Sequence, residues 1–151
     1  MSQGTIIPVE SCSGNTIVIA GDYTTADLYI GNQYCFRYRF SPQYLKRADG
    51  GGLMPRGRFQ FKRITVDVSE TQYFQYQITP EISGTTYTYE FGDGSLGADE
   101  TLDLQDDSYT VPVRADADKV TVDLVNCSPY PSNFISATME GEYSPKARGI
   151  R

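Results

Sequence analysis

Histidine and tryptophan are absent from this 151-residue chain, and cysteine occurs three times. Without histidine there is no usual general base, no imidazole metal ligand and no middle member of a Ser/His/Asp triad, so most hydrolase chemistries are excluded. Cys12, Cys35 and Cys127 are odd in number, widely spaced and form no Cys-x-x-Cys pair. They spell neither a zinc knuckle nor a disulfide framework, and predict three reduced thiols in a protein made inside a cell. Long apolar runs are missing too: nothing approaches the roughly 18 consecutive apolar residues of a membrane helix. Met1 is followed by Ser2-Gln3-Gly4 rather than a basic and then apolar leader, which predicts neither a signal peptide nor a membrane partner.

What is present is a composition of 39 % hydrophobic and 21 % charged residues, the balance of one globular domain. A fold of this length buries roughly two thirds of its unfolded surface, so its core is expected to stand without disulfides. Twelve Tyr and seven Phe suit pleated surfaces. Apolar residues recur with period two in Thr16–Ala20, Asp27–Ile30, Gln33–Phe40, Tyr73–Thr79, Thr86–Phe91, Tyr109–Val113, Lys119–Val125 and Phe134–Tyr143. In Arg58–Val68 the phase slips between Phe59/Phe61 and Ile64/Val66/Val68, which predicts a β-bulge near Lys62–Arg63. No stretch carries a clean helical stripe. The expected fold is an all-β, antiparallel β-sandwich of about nine strands over residues 1–143, followed by a basic tail over 144–151. Ser41–Gly57 and Gly92–Ser108 read as long loops.

Charge is segregated along the chain. Residues 1–75 hold eight basic and six acidic side chains, while residues 76–151 hold five and thirteen, for a total of −6. The basic residues of the first half all lie between Arg37 and Arg63, a stretch that carries +7. Net negative charge argues against general nucleic-acid binding, but opposite charge in the two halves suits copies meeting basic edge to acidic edge, as in head-to-tail rings.

Three candidate sites have simpler readings beside them. Asp93, Asp99, Glu100, Asp103, Asp106 and Asp107 are the ingredients of a calcium site or a carboxylate pair. Gly92-Asp93-Gly94-Ser95 lacks the ligand order of an EF-hand loop, so a solvated acidic loop is the plainer reading. No catalytic, metal or cofactor set is predicted. The basic, aromatic stretch from Tyr34 to Arg63 has the composition of a single-strand-binding face. Strand alternation, however, puts Arg37 and Arg39 opposite Tyr34, Phe36, Tyr38 and Phe40, which are expected in the core. Tyr enrichment also permits a carbohydrate- or receptor-binding sandwich, an alternative weakened by the lack of Trp.

Three blocks occur together: Gln33-Tyr34-Cys35-Phe36-Arg37-Tyr38-Arg39-Phe40-Ser41; Gly57-Arg58-Phe59-Gln60-Phe61-Lys62-Arg63-Ile64-Thr65-Val66 followed by Thr71-Gln72-Tyr73-Phe74; and Asn133–Arg148 with Met139-Glu140-Gly141-Glu142-Tyr143. In order and spacing this resembles the C-terminal region of the tail nozzle protein of short-tailed bacteriophages, the tail tubular protein B family. The resemblance spans about residue 27 to residue 151. Met139 stands where the family usually has Trp, and Phe59 and Phe61 where Leu is common; these swaps leave an apolar role intact. Nozzle proteins are several times longer, so the chain corresponds to an excised C-terminal domain or a small free-standing relative.

The resemblance implies a virion structural protein made in the host cytoplasm, with no enzymatic activity. Copies would form a ring with the tail adaptor and other tail proteins, around a channel that passes double-stranded DNA without binding it specifically. Arg37, Arg39, Arg58, Lys62 and Arg63 are expected to contact acidic groups of a neighbouring subunit. Glu140, Glu142 and Tyr143 are expected to order the closing strand beside the basic block, with Lys146 and Arg148 in a docking tail.

Overall fold

A computed structural model of the chain describes residues 7–24, 28, 30–32, 34–45, 57–94 and 102–145. Nine strands and no helix occur among these residues. They are β1 (Val9–Ser13), β2 (Thr16–Ile19), β3 (Phe36–Arg39), β4 (Arg58–Thr71), β5 (Tyr73–Pro80), β6 (Tyr87–Gly92), β7 (Gln105–Asp116), β8 (Val120–Asn126) and β9 (Phe134–Ser144). All pairings are antiparallel. A four-stranded sheet, β3-β8-β5-β6, and a three-stranded sheet, β7-β4-β9, form the sandwich, while β1 and β2 make a hairpin of their own.

The central strands carry the strongest alternation. In β4, Phe61, Ile64, Val66 and Val68 are buried, and in β5 so are Phe74, Tyr76 and Ile78. They meet Phe91, Val111, Val113, Val122 and Leu124 in one core. The expected bulge is present: against β9, Lys62 is the extra residue between Phe61 and Arg63, while against β7 it is Val113 and Arg114 that stand opposite Lys62, so Lys62 is unpaired in both ladders. That extra residue returns Ile64 to the inner face after Phe61. Pro112, opposite Arg63, is tolerated within β7 because β7 is an edge strand. Gly141 has a packing reason: a Cβ there would come 2.5 Å from the Phe59 ring and 2.6 Å from the Gln60 carbonyl oxygen.

Three of the chain's changes of sheet, between β4 and β5, between β6 and β7 and between β8 and β9, are latched together by buried polar side chains. Gln72, the lone residue between β4 and β5, is buried; its backbone N–H donates to the Pro131 carbonyl at 3.0 Å. Its side-chain oxygen accepts the Asp103 N–H at 2.7 Å and its amide donates to the Asp93 carbonyl at 3.4 Å. Thr71 Oγ1 accepts the Asn133 N–H at 2.9 Å. Asn126, also buried, donates to the carbonyls of Tyr73 (3.0 Å) and Tyr130 (2.9 Å) and to Ser132 Oγ (3.1 Å).

Several expectations are corrected. Cys35 and Cys127 form a disulfide, leaving Cys12 as the free thiol, exposed on β1. The reason is register: Phe36 pairs with Asn126, so the next residue outward on each strand is a cysteine, with Cα atoms 4.0 Å apart across 92 residues of sequence. The aromatic row of β3 does lie on the core side, since Tyr38 pairs with Leu124, but β3 is an edge strand and Phe36 and Tyr38 stay largely exposed.

Other differences concern element boundaries. β1 went unpredicted because Val9-Glu10-Ser11-Cys12-Ser13 has little apolar alternation. Gly14, with φ +58°, makes the tight turn that pairs it with β2. Leu28 and Ile30 lie in no strand, and Asp27 and Tyr29 fall outside the described residues. Gln105–Ser108, expected in a loop, belongs to β7. Residues 46–56, 95–101 and 146–151 of the expected loops and tail are outside the described residues.

Three measurements check this fold. Gln72→Leu leaves the Asp103 N–H without its partner and should lower stability by about 1–3 kcal/mol in denaturant unfolding. Tyr76→Phe removes a buried hydroxyl that has no hydrogen-bond partner and should be neutral or stabilising by up to about 1 kcal/mol. Thiol alkylation in denaturant should label one cysteine before reduction and three after it; three before reduction would remove the Cys35–Cys127 bond.

Candidate functional site

The basic residues singled out from the sequence fall on the outer faces of both sheets. Strand alternation dictates this: with Phe61, Ile64 and Val66 inward, Arg58, Lys62 and Arg63 must project outward. Each finds an acid on an adjacent strand. Arg58 Nε donates to Asp116 of β7 at 2.5 Å, Lys62 pairs with Glu142 of β9 at 2.6 Å, and Arg63 with Glu140 of β9 at 2.7 Å. β9 lies directly against β4, with Tyr143 opposite Phe59 and Glu142 opposite Gln60. Gln60, Lys62, Arg63, Thr110, Pro112, Arg114 and Glu140 line an open depression on this face. Arg114, exposed within it, has no ionic partner among the described residues.

Farther along the same face, Asp67 accepts hydrogen bonds from Ser108 Oγ at 2.5 Å and from Ser136 Oγ. These hydroxyls, first Ser108 and then Ser136, hold its carboxyl below the usual range. Asp106 is lowered as well, first by the Glu70 N–H, which it accepts at 2.7 Å, and then by Ser69. That bond supports Glu70 in a left-handed conformation, φ +47°, at the end of β4. The Lys62 ammonium, by hydrogen bond and by charge, lowers Glu142.

On the other sheet, Arg39 grips Asp123 of β8 through Nε (2.8 Å) and Nη2 (2.9 Å), a bidentate fork. Arg37 donates to Gln77 Oε1 at 2.7 Å and approaches the same carboxylate at 3.7 Å. Two guanidinium groups thus share one carboxylate, and Asp123 is only 4 % exposed. Asp116, Asp123 and Gln77 were not identified from the sequence. Each is distant in sequence from its arginine, and only strand pairing brings them together. Lys146 and Arg148 lie outside the described residues. Among the described residues, no group of three or more His, Cys, Asp or Glu could hold a metal ion.

The model of the bacteriophage nozzle protein family matches residues 3–150. The chain belongs to the bacteriophage nozzle protein family. The match takes in the β1–β2 hairpin, which the sequence resemblance, starting near residue 27, did not. No curated protein matches the chain. As a nozzle-family protein it is a structural component of the phage tail, associated in the virion with other tail proteins.

Because Asp67, Asp106 and Glu142 have lowered folded-state pKa values, their stabilisation is present above the unfolded carboxyl range and is lost as pH falls through their folded values. The unfolding midpoint should therefore drop on acidification below about pH 4. Asp67→Asn should make that drop shallower; an unchanged acid profile would show that the Ser108–Asp67–Ser136 bridge contributes nothing.

Proposed function

We propose that copies of this chain assemble as a ring in the tail nozzle of a short-tailed phage, continuing the channel below the adaptor through which double-stranded DNA leaves the virion. Membership of the nozzle family is the observation that carries this reading. Charge supports it. A net charge of −6 lets phosphate pass without sticking, while the basic outer faces of β4 and β3 supply cations for neighbours.

The subunit contacts we assign are Arg37, Arg39, Arg58, Lys62 and Arg63 on one side and carboxylates of the next copy on the other, with β9 held in place through Glu140, Glu142 and Tyr143. Lys146 and Arg148 act as a second docking element. The ion pairs within the chain do not oppose this role. Arg58, Lys62, Arg63, Glu140 and Glu142 are all more than half or about half exposed, and such pairs contribute only about 0–1 kcal/mol each. A neighbour's carboxylate can therefore join or replace them at little cost. No step requires catalysis or a cofactor.

Native mass by light scattering and negative-stain images of the same fraction test the ring; a central hole wide enough for duplex DNA is expected, and a monomer under all conditions, with or without the adaptor, would overturn the reading. Arg58→Glu/Arg63→Glu should abolish incorporation into tails while the chain still unfolds cooperatively. Arg63→Glu/Glu140→Arg restores the pair within the chain; if it also restores incorporation, Arg63 acts inside the subunit and not between subunits.

A further inference from the structure

The two long edges of the sandwich differ in how their strands are tied together. At the β6/β7 edge, the Tyr109 hydroxyl of β7 donates to the Glu90 carbonyl of β6 at 2.8 Å, and its ring packs on Phe91 at 5.4 Å between centroids. At the other edge β3 faces β9, with Phe36 stacked on Phe134 at 5.8 Å. No strand covers β3 on its outer side among the described residues. Phe36 is 39 % and Tyr38 51 % exposed, and Ile135, at the β9 bulge, is exposed as well. A strand edge of this kind is a template for another strand.

The β1–β2 hairpin has the complementary deficiency. Its register, with a bulge at Glu10, puts Val9, Cys12, Ile17 and Ile19 on one face and Ser11, Ser13, Thr16 and Val18 on the other. The apolar face is only partly covered in its own chain, with Val9 55 % and Ile17 38 % exposed. A two-stranded hairpin alone in water is marginal, and a third strand or a packed face is what stabilises it. Charge matches too. The first 36 residues contain no Lys or Arg and three acids, Glu10, Asp22 and Asp27, whereas β3 presents Arg37 and Arg39, which share a single carboxylate.

The geometry points to strand addition between copies: the β1–β2 hairpin of one subunit adds to the free edge of β3 in the next, lengthening the four-stranded sheet to six. Val9, Cys12, Ile17 and Ile19 then cover Phe36, Tyr38 and Ile135, while the acidic arm lies beside Arg37 and Arg39. Main-chain bonds along the edge supply affinity and the alternate side chains supply fit. Donor and acceptor surfaces differ, so the contact is head-to-tail, the kind that closes into a ring. This inference rests on the ring reading above and names the contact that would build it.

The free thiol of Cys12 is a built-in reporter. In Tyr38→Cys, mild oxidation should give a ladder of covalent multimers on a non-reducing gel, absent from the unsubstituted protein and from Cys12→Ser/Tyr38→Cys. A monomer cross-linked only to itself, or no cross-link either in Tyr38→Cys or in Cys12→Ser/Ile17→Cys/Tyr38→Cys, which reports the neighbouring strand of the hairpin, overturns strand addition between copies. In the full chain, Ile17→Lys/Ile19→Lys places like charge and polar tips against β3 and should shift the native mass from ring to single subunit while cooperative unfolding of the sandwich persists. Rings that survive this variant overturn the hairpin contact and leave the ring reading standing. An unsubstituted protein that is monomeric in every condition overturns both.

Discussion

Gln72 is the residue on which three of the sheet crossings, β4–β5, β6–β7 and β8–β9, converge. β4 and β5 are consecutive in sequence yet lie in opposite sheets, and one residue must turn the chain from one layer to the other. A buried corner strands backbone donors and acceptors away from water, and each must be paired. Gln72 pairs its own N–H with Pro131 and uses its side chain on Asp93 and Asp103. In doing so it ties the β4–β5 corner to the segments leading from β6 to β7 and from β8 to β9. Thr71 and Asn126 complete the latch, and the Cys35–Cys127 bond attaches the start of β3 to the same end. The layers are thereby held face to face at the spacing their core residues fill.

From that constraint the surface follows. With β4 fixed at the centre of its sheet and its bulge placed at Lys62, the residues after Phe61 return their apolar members inward, and three cations are left on the outer face. β7 and β9, the only strands beside β4 among the described residues, then bring Asp116, Glu140 and Glu142 within reach. The result is a face whose charges are satisfied yet cheap to rearrange, a property suited to repeated contacts between identical subunits. The contrast with Asp123 is instructive: there the carboxylate is buried beneath two arginines, so Arg39 is tied to the fold in a way that Arg63 is not.

The two edges of the sandwich divide structure from assembly in the same manner. Tyr109 ties β7 to β6 at one edge with a hydrogen bond and ring contacts. β3 leaves the other edge open, and its alternation, aromatic inward and arginine outward, gives that edge both an apolar lining and a positive rim. The hairpin within the family match but outside the sandwich supplies an apolar face and acidic residues. An edge so exposed is a hazard in a free monomer, and in the proposed ring it is the joint.

Strand identity was legible in the sequence because it depends on local alternation. Phe74/Tyr76/Ile78, Val120/Val122/Leu124 and the phase slip at Lys62 announce both their strands and their inner faces without reference to any neighbour. The charge division and the family resemblance were legible for the same reason: they are properties of the linear order. β1 was hidden because its residues are polar, although Gly14-Asn15 carried the turn chemistry that pairs it with β2. What only the tertiary structure decided is adjacency. Sheet order makes β3 an edge and so exposes Phe36 and Tyr38. Register brings Cys35 onto Cys127 across 92 residues, and strand neighbours choose Asp116, Asp123, Glu140 and Glu142 as partners for the arginines. Alternation fixes which way a side chain points, but what it meets there depends on contacts far apart in the chain, which no local period encodes.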